Sequence, residues 1–317
     1  MKKFIGKCLV LIFLILSSIA TLNYLYIRTI YWKETVTSIT EKLKNVPGNI
    51  QLANVGSSHG EHSFDYTGIP YRTFNFALSS QRHVYNYAVL AQYIGHFDKN
   101  AVLLIPLSYF EITRIKSDFT DQRARYYRFL DKQYMESYSL SEKLLFDLVP
   151  VLTAGDTITF IIKDQPLPEK KIITITETEL INYSNEKHKR WTMGNTPDIG
   201  IEAGEEGFAY NKNWVIKIIE LCHEHGIRPV LITTPITSIL NTIYAEKSPE
   251  FFDTFYRFTR EIGDAYPSVP YFDYSHDRRF EDDFSLFQDG DHLNILGAEK
   301  FTAIVISDLQ AGGLLSF

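Results

Sequence analysis

Two short segments carry residue types that can perform acyl-transfer chemistry. One reads Asn54-Val55-Gly56-Ser57-Ser58-His59-Gly60, the other Asp289-Gly290-Asp291-His292-Leu293-Asn294. The first puts a serine on a turn directly after a short apolar run. The second spaces an aspartate three residues before a histidine. A serine hydroxyl is a weak nucleophile at neutral pH and needs a neutral imidazole to take its proton, with that imidazole held in one tautomer. A single turn of chain can put Asp289 and His292 on one side of a loop. Ser58, His292 and Asp289 are therefore a complete candidate set of nucleophile, base and orienting carboxylate. The plainer reading of each segment is structural: Gly-Ser-Ser satisfies free helix N–H groups, and Asn294 caps the last helix. The joint presence of both segments, at the first strand's edge and just before the last helix, favours chemistry.

Other candidates compete less well. His59, His62 and Asp65 have a His-x-x-His-x-x-Asp spacing that a metal can use; the plainer expectation puts His59 at the mouth of the site and His62 on the surface. His223 and His225 fall at a helix end, where an imidazolium favours the dipole. Trp191, Tyr126 and Tyr127 read either as core or as a sugar-stacking surface. The chain has no phosphate-binding glycine loop and no dinucleotide fingerprint. Ser-His-Asp chemistry requires no metal or organic cofactor.

These residues need a frame, and the sequence alternates apolar strands with amphipathic helices. Expected strands are Ile50–Val55, Tyr71–Phe76, Ala101–Pro106, Pro229–Thr233 and Tyr271–Asp273; Ala101–Pro106 is a continuous apolar run, the mark of a strand buried on both faces. Expected helices are Val84–Phe97, Lys212–His225 with Gly226 as its stop, Glu250–Ala265 and Leu296–Leu309. The alternation predicts an α/β fold with a parallel sheet covered on both faces. The rhythm breaks over 114–200, which reads as an insertion after the third strand, a cap or partner-binding lobe. Within it Gln122–Met135 and Ser141–Leu152 look helical and Lys171–Glu177 looks like a strand.

The N-terminal segment has its own character. Lys2, Lys3 and Lys7 precede an uncharged run from Cys8 to Ile27, about the length that spans a bilayer. Tyr24 and Tyr26 fall where interfacial rings prefer to sit, and the lysines before the span predict a cytoplasmic N-terminus at 1–7 with everything after Arg28 outside. Ser18-Ile19-Ala20 resembles a signal-peptide cleavage site, but the apolar run continues through Leu22 and Leu25, which favours an uncleaved anchor at 8–27. Residues 28–48 read as a connecting helix ended by Pro47-Gly48, leaving a domain at 49–317. The formal net charge is −6. Setting aside the three N-terminal lysines makes it more negative still, which argues against nucleic acid or an anionic membrane surface as a main partner. Of the two cysteines, only Cys222 lies outside the apolar segment, and an exported domain of this size needs no disulfide.

With these motifs the chain resembles the SGNH (GDSL-like) hydrolase superfamily. Gly56-Ser57-Ser58 matches that family's first block and Asp289-Gly290-Asp291-His292 its last. The Gly-Ser-Ser-His form and the ending Asp-His-Leu-Asn-x-x-Gly-Ala-x-x-Phe look most like a membrane-anchored branch with proteins of teichoic-acid D-alanylation and polysaccharide O-acetylation. The resemblance covers about residues 50–110 and 210–310. It implies a three-layer α/β/α fold with a five-stranded parallel sheet, and a serine esterase or O-acyltransferase acting on a cell-surface glycan or lipid-linked polymer. A membrane-bound O-acyltransferase as acyl donor is a partner implied in the same way. The family's second block places a glycine N–H in the oxyanion hole; here the stretch is Asn75-Phe76-Ala77-Leu78-Ser79-Ser80, so Ala77 would donate beside Ser58. The third block usually supplies an Asn, which Pro106-Leu107-Ser108-Tyr109-Phe110-Glu111 lacks; Ser108 or Asn75 would take its place. That gap supports a different reading, a non-catalytic assembly or glycan-binding protein that keeps the fold.

Overall fold

Short runs of β-branched and leucine residues form the centre of the molecule. In a computed structural model of the chain, the structure describes residues 1–112, 120–153, 157–164, 175–192 and 204–315, with backbone alone at 120–122, 157–158 and 190–192. Five strands, β1 (Ile50–Asn54), β2 (Thr73–Asn75), β3 (Phe97–Pro106), β4 (Arg228–Thr233) and β5 (Tyr271–Asp273), pair in the order β2-β1-β3-β4-β5, every pairing parallel. Leu52 lies opposite both Thr73 and Val102, and Leu104 opposite Val230. The fold is α/β with helices on both sheet faces, as expected. In this strand order the direction of winding reverses between β1 and β3, and the crevice beyond the carboxyl ends of those two strands is where such sheets bind ligands.

In chain order the helices are α1 (Lys2–Tyr26), α2 (Ile30–Trp32), α3 (Ile39–Lys44), α4 (Ser58–Ser63), α5 (His83–Tyr93), α6 (Thr120–Phe129), α7 (Leu140–Leu148), α8 (Thr157–Ile162), α9 (Glu177–Thr192), α10 (Gly204–Glu224), α11 (Ser238–Lys247), α12 (Pro249–Ala265) and α13 (Ile295–Ala311). They sort into two compact units. One comprises 1–45 and 118–169, the other 46–117 and 170–317.

The larger unit holds the sheet. On one face Leu52, Val102, Leu104, Val230 and Ile232 pack with Phe301, Val305, Ile306 and Leu309 of α13. The other face is covered by α5 and α10, which pack on each other. The α5 helix is buried nearly all round, at Val84, Tyr85, Ala88, Val89 and Leu90 among others, whereas Val215, Ile218 and Cys222 of α10 recur at helical spacing. Pro249 opens α12 at its first turn, where the missing N–H costs nothing.

Several boundaries differ from expectation. The α5 helix stops at Tyr93, a 3₁₀ turn covers Ile94–His96, and Phe97 already begins β3, because Phe97 pairs with Ile50. The α10 helix begins at Gly204, eight residues before the expected start, because its first turns bury Phe208 and Asn211. Where the expected strand Lys171–Glu177 ends, α9 begins; residues 171–174 lie outside the described residues. The start of α9 is fixed by a reciprocal cap. Thr176 Oγ accepts from the Glu179 N–H at 3.3 Å, and the Glu179 carboxylate accepts from the Thr176 N–H at 2.9 Å.

The smaller unit combines the N-terminal helices with α6, α7 and α8. The α1 helix is long and apolar enough to cross a membrane. Its end enters a core of Tyr26, Trp32, Val36 and Val151, and the Tyr31 ring stacks on Phe160 at 3.8 Å. The expected connecting helix at 28–48 is broken into α2, a wider π turn over Lys33–Ser38, and α3. Tyr126 and Tyr127 are buried, and Tyr127 donates to Glu142 at 2.7 Å. That is a core role and not a stacking surface.

Candidate active site

The chain leaves β1 through Gly56, whose φ of 126° is a backbone conformation that L residues avoid. The turn is fixed from outside: the Gly56 N–H donates to Asn86 Oδ1 at 2.9 Å, and Gln81 donates to the same oxygen at 2.8 Å. Ser57 then stands in extended backbone just before α4, and Ser58 is the first residue of α4. The α4 helix lies close against the sheet edge. A Cβ on Gly60 would stand 2.6 Å from the Val55 carbonyl oxygen and 2.9 Å from the Ala77 Cβ, so only glycine fits there unmoved. At the start of a helix the N–H groups lack helical acceptors, so the Ser58 N–H is a donor without an intrahelical partner.

His292 arrives from the other end of the unit, on the loop between β5 and α13. Gln288 donates its N–H to the His292 carbonyl at 3.0 Å, and Phe287 bridges to Leu293. Asn294 caps α13 by accepting from the Gly297 N–H at 3.1 Å while its amide donates to Ser285 and Phe287 carbonyls. The two segments meet: His292 Nε2 lies 2.8 Å from Ser58 Oγ, and His292 Nδ1 lies 2.9 Å from Asp289 Oδ2. Asp289 Oδ1 also accepts from the N–H groups of Asp291 and His292, at 3.0 and 2.9 Å, which fixes the carboxylate.

A second charged layer lies directly behind. The Asp291 side chain is fully buried and accepts from Lys187 Nζ, and His59 Nε2 lies 2.9 Å from the same oxygen. The His59 ring stacks on His292 with centroids 4.7 Å apart. Burial opposes protonation of His292, but Asp289 and Asp291 outweigh it and raise the imidazole above its ordinary 6.5. Burial by itself would raise Asp291; Lys187 and the two imidazoles hold it well below the usual carboxylate range. Burial keeps His59 below 6.5, with its Asp291 contact opposing.

Ser57, Ser58, His59, Ser80, Phe110, Glu111, Tyr183, Glu186, Lys187 and His292 line a cavity of about 200 Å³. It sits at the β1/β3 switch point, since Phe110 and Glu111 follow β3. His59 thus lines the cavity, as expected. Of the expected oxyanion donors Ser58 lines it too, but Ala77, Asn75 and Ser108 do not. The Ala77 N–H donates to Asn75 Oδ1 at 3.0 Å, and the Asn75 amide donates to the Gly60 carbonyl at 3.1 Å, so the first is spent within the turn after β2 and the second ties β2 to α4. Ser108 is buried outside the cavity wall, its Oγ accepting from the Phe110 N–H at 3.3 Å. Ser80, with a left-handed φ of 59°, is the residue of the Asn75–Ser80 stretch that reaches the cavity.

The spacing of His59, His62 and Asp65 does not bring three ligands together. His59 turns to Asp291, Asp65 accepts from the Thr67 N–H, and His62 sets its ring edge-on to His292 at 5.6 Å. His59, Asp291 and His292 do converge within 4.8 Å, but Lys187 already supplies a cation to that cluster. His223 and His225 are exposed at the end of α10, and the Trp191 side chain lies outside the described residues. Lys187, Glu186 and Tyr183 of α9 carry no local motif that predicts their place in the cavity. Asp291 stood inside the recognised motif without a role.

No family model and no curated relative matches the chain. Among solved structures, one from Streptococcus pneumonia described as a "putative platelet activating factor" is similar over 95% of this chain and 98% of its own, with 11% identity and a TM-score of 0.43. A likeness of that degree says nothing about the site.

Proposed function

We propose that the chain is a membrane-anchored serine esterase or O-acyltransferase. The observation that carries this reading is the continuous Ser58–His292–Asp289 hydrogen-bonded array, with the hydroxyl facing a cavity. Ser58 Oγ attacks the ester carbonyl carbon as its proton passes to His292 Nε2, while Asp289 holds Nδ1–H and stabilises the imidazolium. The tetrahedral oxyanion is held by the Ser58 N–H, and we assign the second donor to Ser80 in place of Ala77. Collapse breaks the ester C–O bond, and the departing alkoxide takes the proton from His292. Water or an acceptor hydroxyl then attacks the acyl carbonyl as His292 takes its proton, and on collapse the acyl C–Oγ bond breaks and His292 returns the proton to Ser58 Oγ. A cavity of about 200 Å³ is below the usual range for drug-sized ligands and suits a short, acetyl-type acyl group.

Lys2, Lys3 and Lys7 before the span support a catalytic unit on the outer side of the membrane, where cell-surface glycans or lipid-linked polymers would be its substrates. In line with the SGNH resemblance, a membrane-bound O-acyltransferase is the partner that would deliver the acyl group. A fluorophosphonate probe tests the reading: wild type becomes labelled and Ser58→Ala does not. No labelling of wild type, or equal labelling of the variant, refutes the enzyme and favours a non-catalytic envelope protein. Product analysis with an acetyl ester and a glycan acceptor then separates hydrolysis from transfer.

A further inference from the structure

The smaller unit exposes apolar side chains right beside its membrane-length helix. In α7, Leu140, Leu144 and Leu148 stand four residues apart and are 62%, 50% and 68% exposed, and Leu152 in the next turn is 57% exposed. The opposite side of α7 is satisfied within the unit: Phe146 is buried against Tyr127, and Glu142 pairs with Arg123 at 2.9 Å. The stripe is therefore not a core face left incomplete by the fold. Contiguous exposed apolar surface of this kind marks a contact with something apolar.

The position of the stripe identifies the occupant. Asn23 is the polar residue near the outer end of α1, and its side chain bonds both sides of the corner that follows α7. Its amide donates to the Leu148 carbonyl at 3.4 Å, and its Oδ1 accepts from the Val151 N–H at 3.2 Å. The corner is thus pinned to α1 at Asn23, about 6 Å below Ile27 at 1.5 Å rise per residue. Just beyond, the Arg28 guanidinium covers the Tyr24 ring at 4.1 Å, an arrangement suited to headgroup level. A helix fixed there with a leucine stripe on one side has the form of an interfacial helix.

The geometry points to a lipid-docking surface: Leu140, Leu144, Leu148 and Leu152 sit in the acyl–headgroup boundary of the membrane that α1 crosses. This rests on the reading of α1 as a membrane anchor and is independent of the acyl chemistry. Docked this way, the smaller unit is held by two elements and cannot swivel freely about a single helix.

Spin labels on the full chain test it. Cys8→Ser leaves only the buried Cys222, and a label is then attached at Leu144→Cys, Leu148→Cys, Ile12→Cys or Glu224→Cys. In phosphatidylcholine–phosphatidylglycerol vesicles, the ratio of oxygen to nickel-chelate accessibility should be several-fold higher at 144 and 148 than at 224. If 144 and 148 are as open to the chelate as 224 while 12 lies in lipid, the docking surface is refuted and the anchor stands. Shielding of 144 and 148 from both reagents means that protein, such as a second copy, covers the stripe, and also refutes it. A label at 12 outside the lipid removes the anchor and the docking surface together; fluorophosphonate labelling of Ser58 would be untouched by any of these results.

Discussion

Gly60→Ala is the substitution whose sign is most informative. Gly60 is buried inside α4, where alanine would ordinarily stabilise a helix by up to about 1 kcal/mol. The new Cβ, however, would meet the Val55 carbonyl oxygen at 2.6 Å, against 3.4 Å for ordinary contact. Neither partner is a flexible side-chain end, so α4 must move by about 0.8 Å, on that difference in spacing, or the sheet edge must give. Overpacking of this kind costs about 1–3 kcal/mol, which exceeds the propensity gain. The net loss lowers Tm by several degrees, at about 2–4 °C per kcal/mol for a domain of this size. The same movement carries Ser58, two residues away. A hydroxyl 2.8 Å from His292 that shifts by about 0.8 Å leaves hydrogen-bonding range, and misplacement on that scale costs on the order of 100-fold in rate. Thermal denaturation and the rate of fluorophosphonate labelling measure both effects. Gly95→Ala is the control, because its Cβ meets nothing within 4 Å. A Gly60→Ala protein that melts higher than wild type and is labelled at the wild-type rate would refute the close approach of α4 and its role in placing Ser58.

Three more expectations concern charge. Because His292 is raised above 6.5 and must be neutral to accept a proton, ester turnover rises with pH through a midpoint above 6.5; Asp291→Asn removes one of the carboxylates responsible and moves that midpoint down, as a pH–kcat/KM profile would record. Lys187→Met removes the permanent cation beside the buried Asp291, leaves it only the two imidazoles and destabilises by about 3 kcal/mol, the low end for a buried charge losing its partner, whereas adding Asp291→Asn restores most of it; additive losses in chemical denaturation would count against the pair. His83 is buried as a neutral ring, pushed down to about 4 by burial. Its folded value is depressed, so its stabilising effect is present above 6.5 and lost as pH falls toward 4, up to about 3 kcal/mol. His83→Gln should flatten stability over that window, and an unchanged slope of stability with pH would contradict it.

The centre of the sheet was legible because the second half of β3 and most of β4 are buried and so read as apolar runs: Val102–Ile105 and Val230–Ile232 name themselves. Gly226, with a φ of 70°, ended α10 where a glycine stop predicted. Ser58, His292 and Asp289 were legible because a turn and a three-residue spacing are local features. What escaped depends on contacts distant in sequence. Lys187 is one charge on a polar helix until Asp291 is folded against it. Ala77 and Asn75 are candidate oxyanion donors by sequence, but Asn75 joins β2 to α4 through the Gly60 carbonyl and takes up the Ala77 N–H, a demand created only by the packing around Gly60. The missed helix α9 did carry a readable mark, the Thr176–Glu179 cap, which the β-branched run before it outweighed.

Ser58 and His292 are 234 residues apart in sequence. On the proposed mechanism, a hydroxyl held by its own strand and turn would therefore stay inert while the chain is being made, since the proposed base sits in the loop that leads into α13. Contacts of such separation form late, after loop-closure entropy has been overcome by the sheet. On the proposed mechanism, reactivity during synthesis would be withheld until α13 docks, and an incompletely assembled chain would not attack the esters around it.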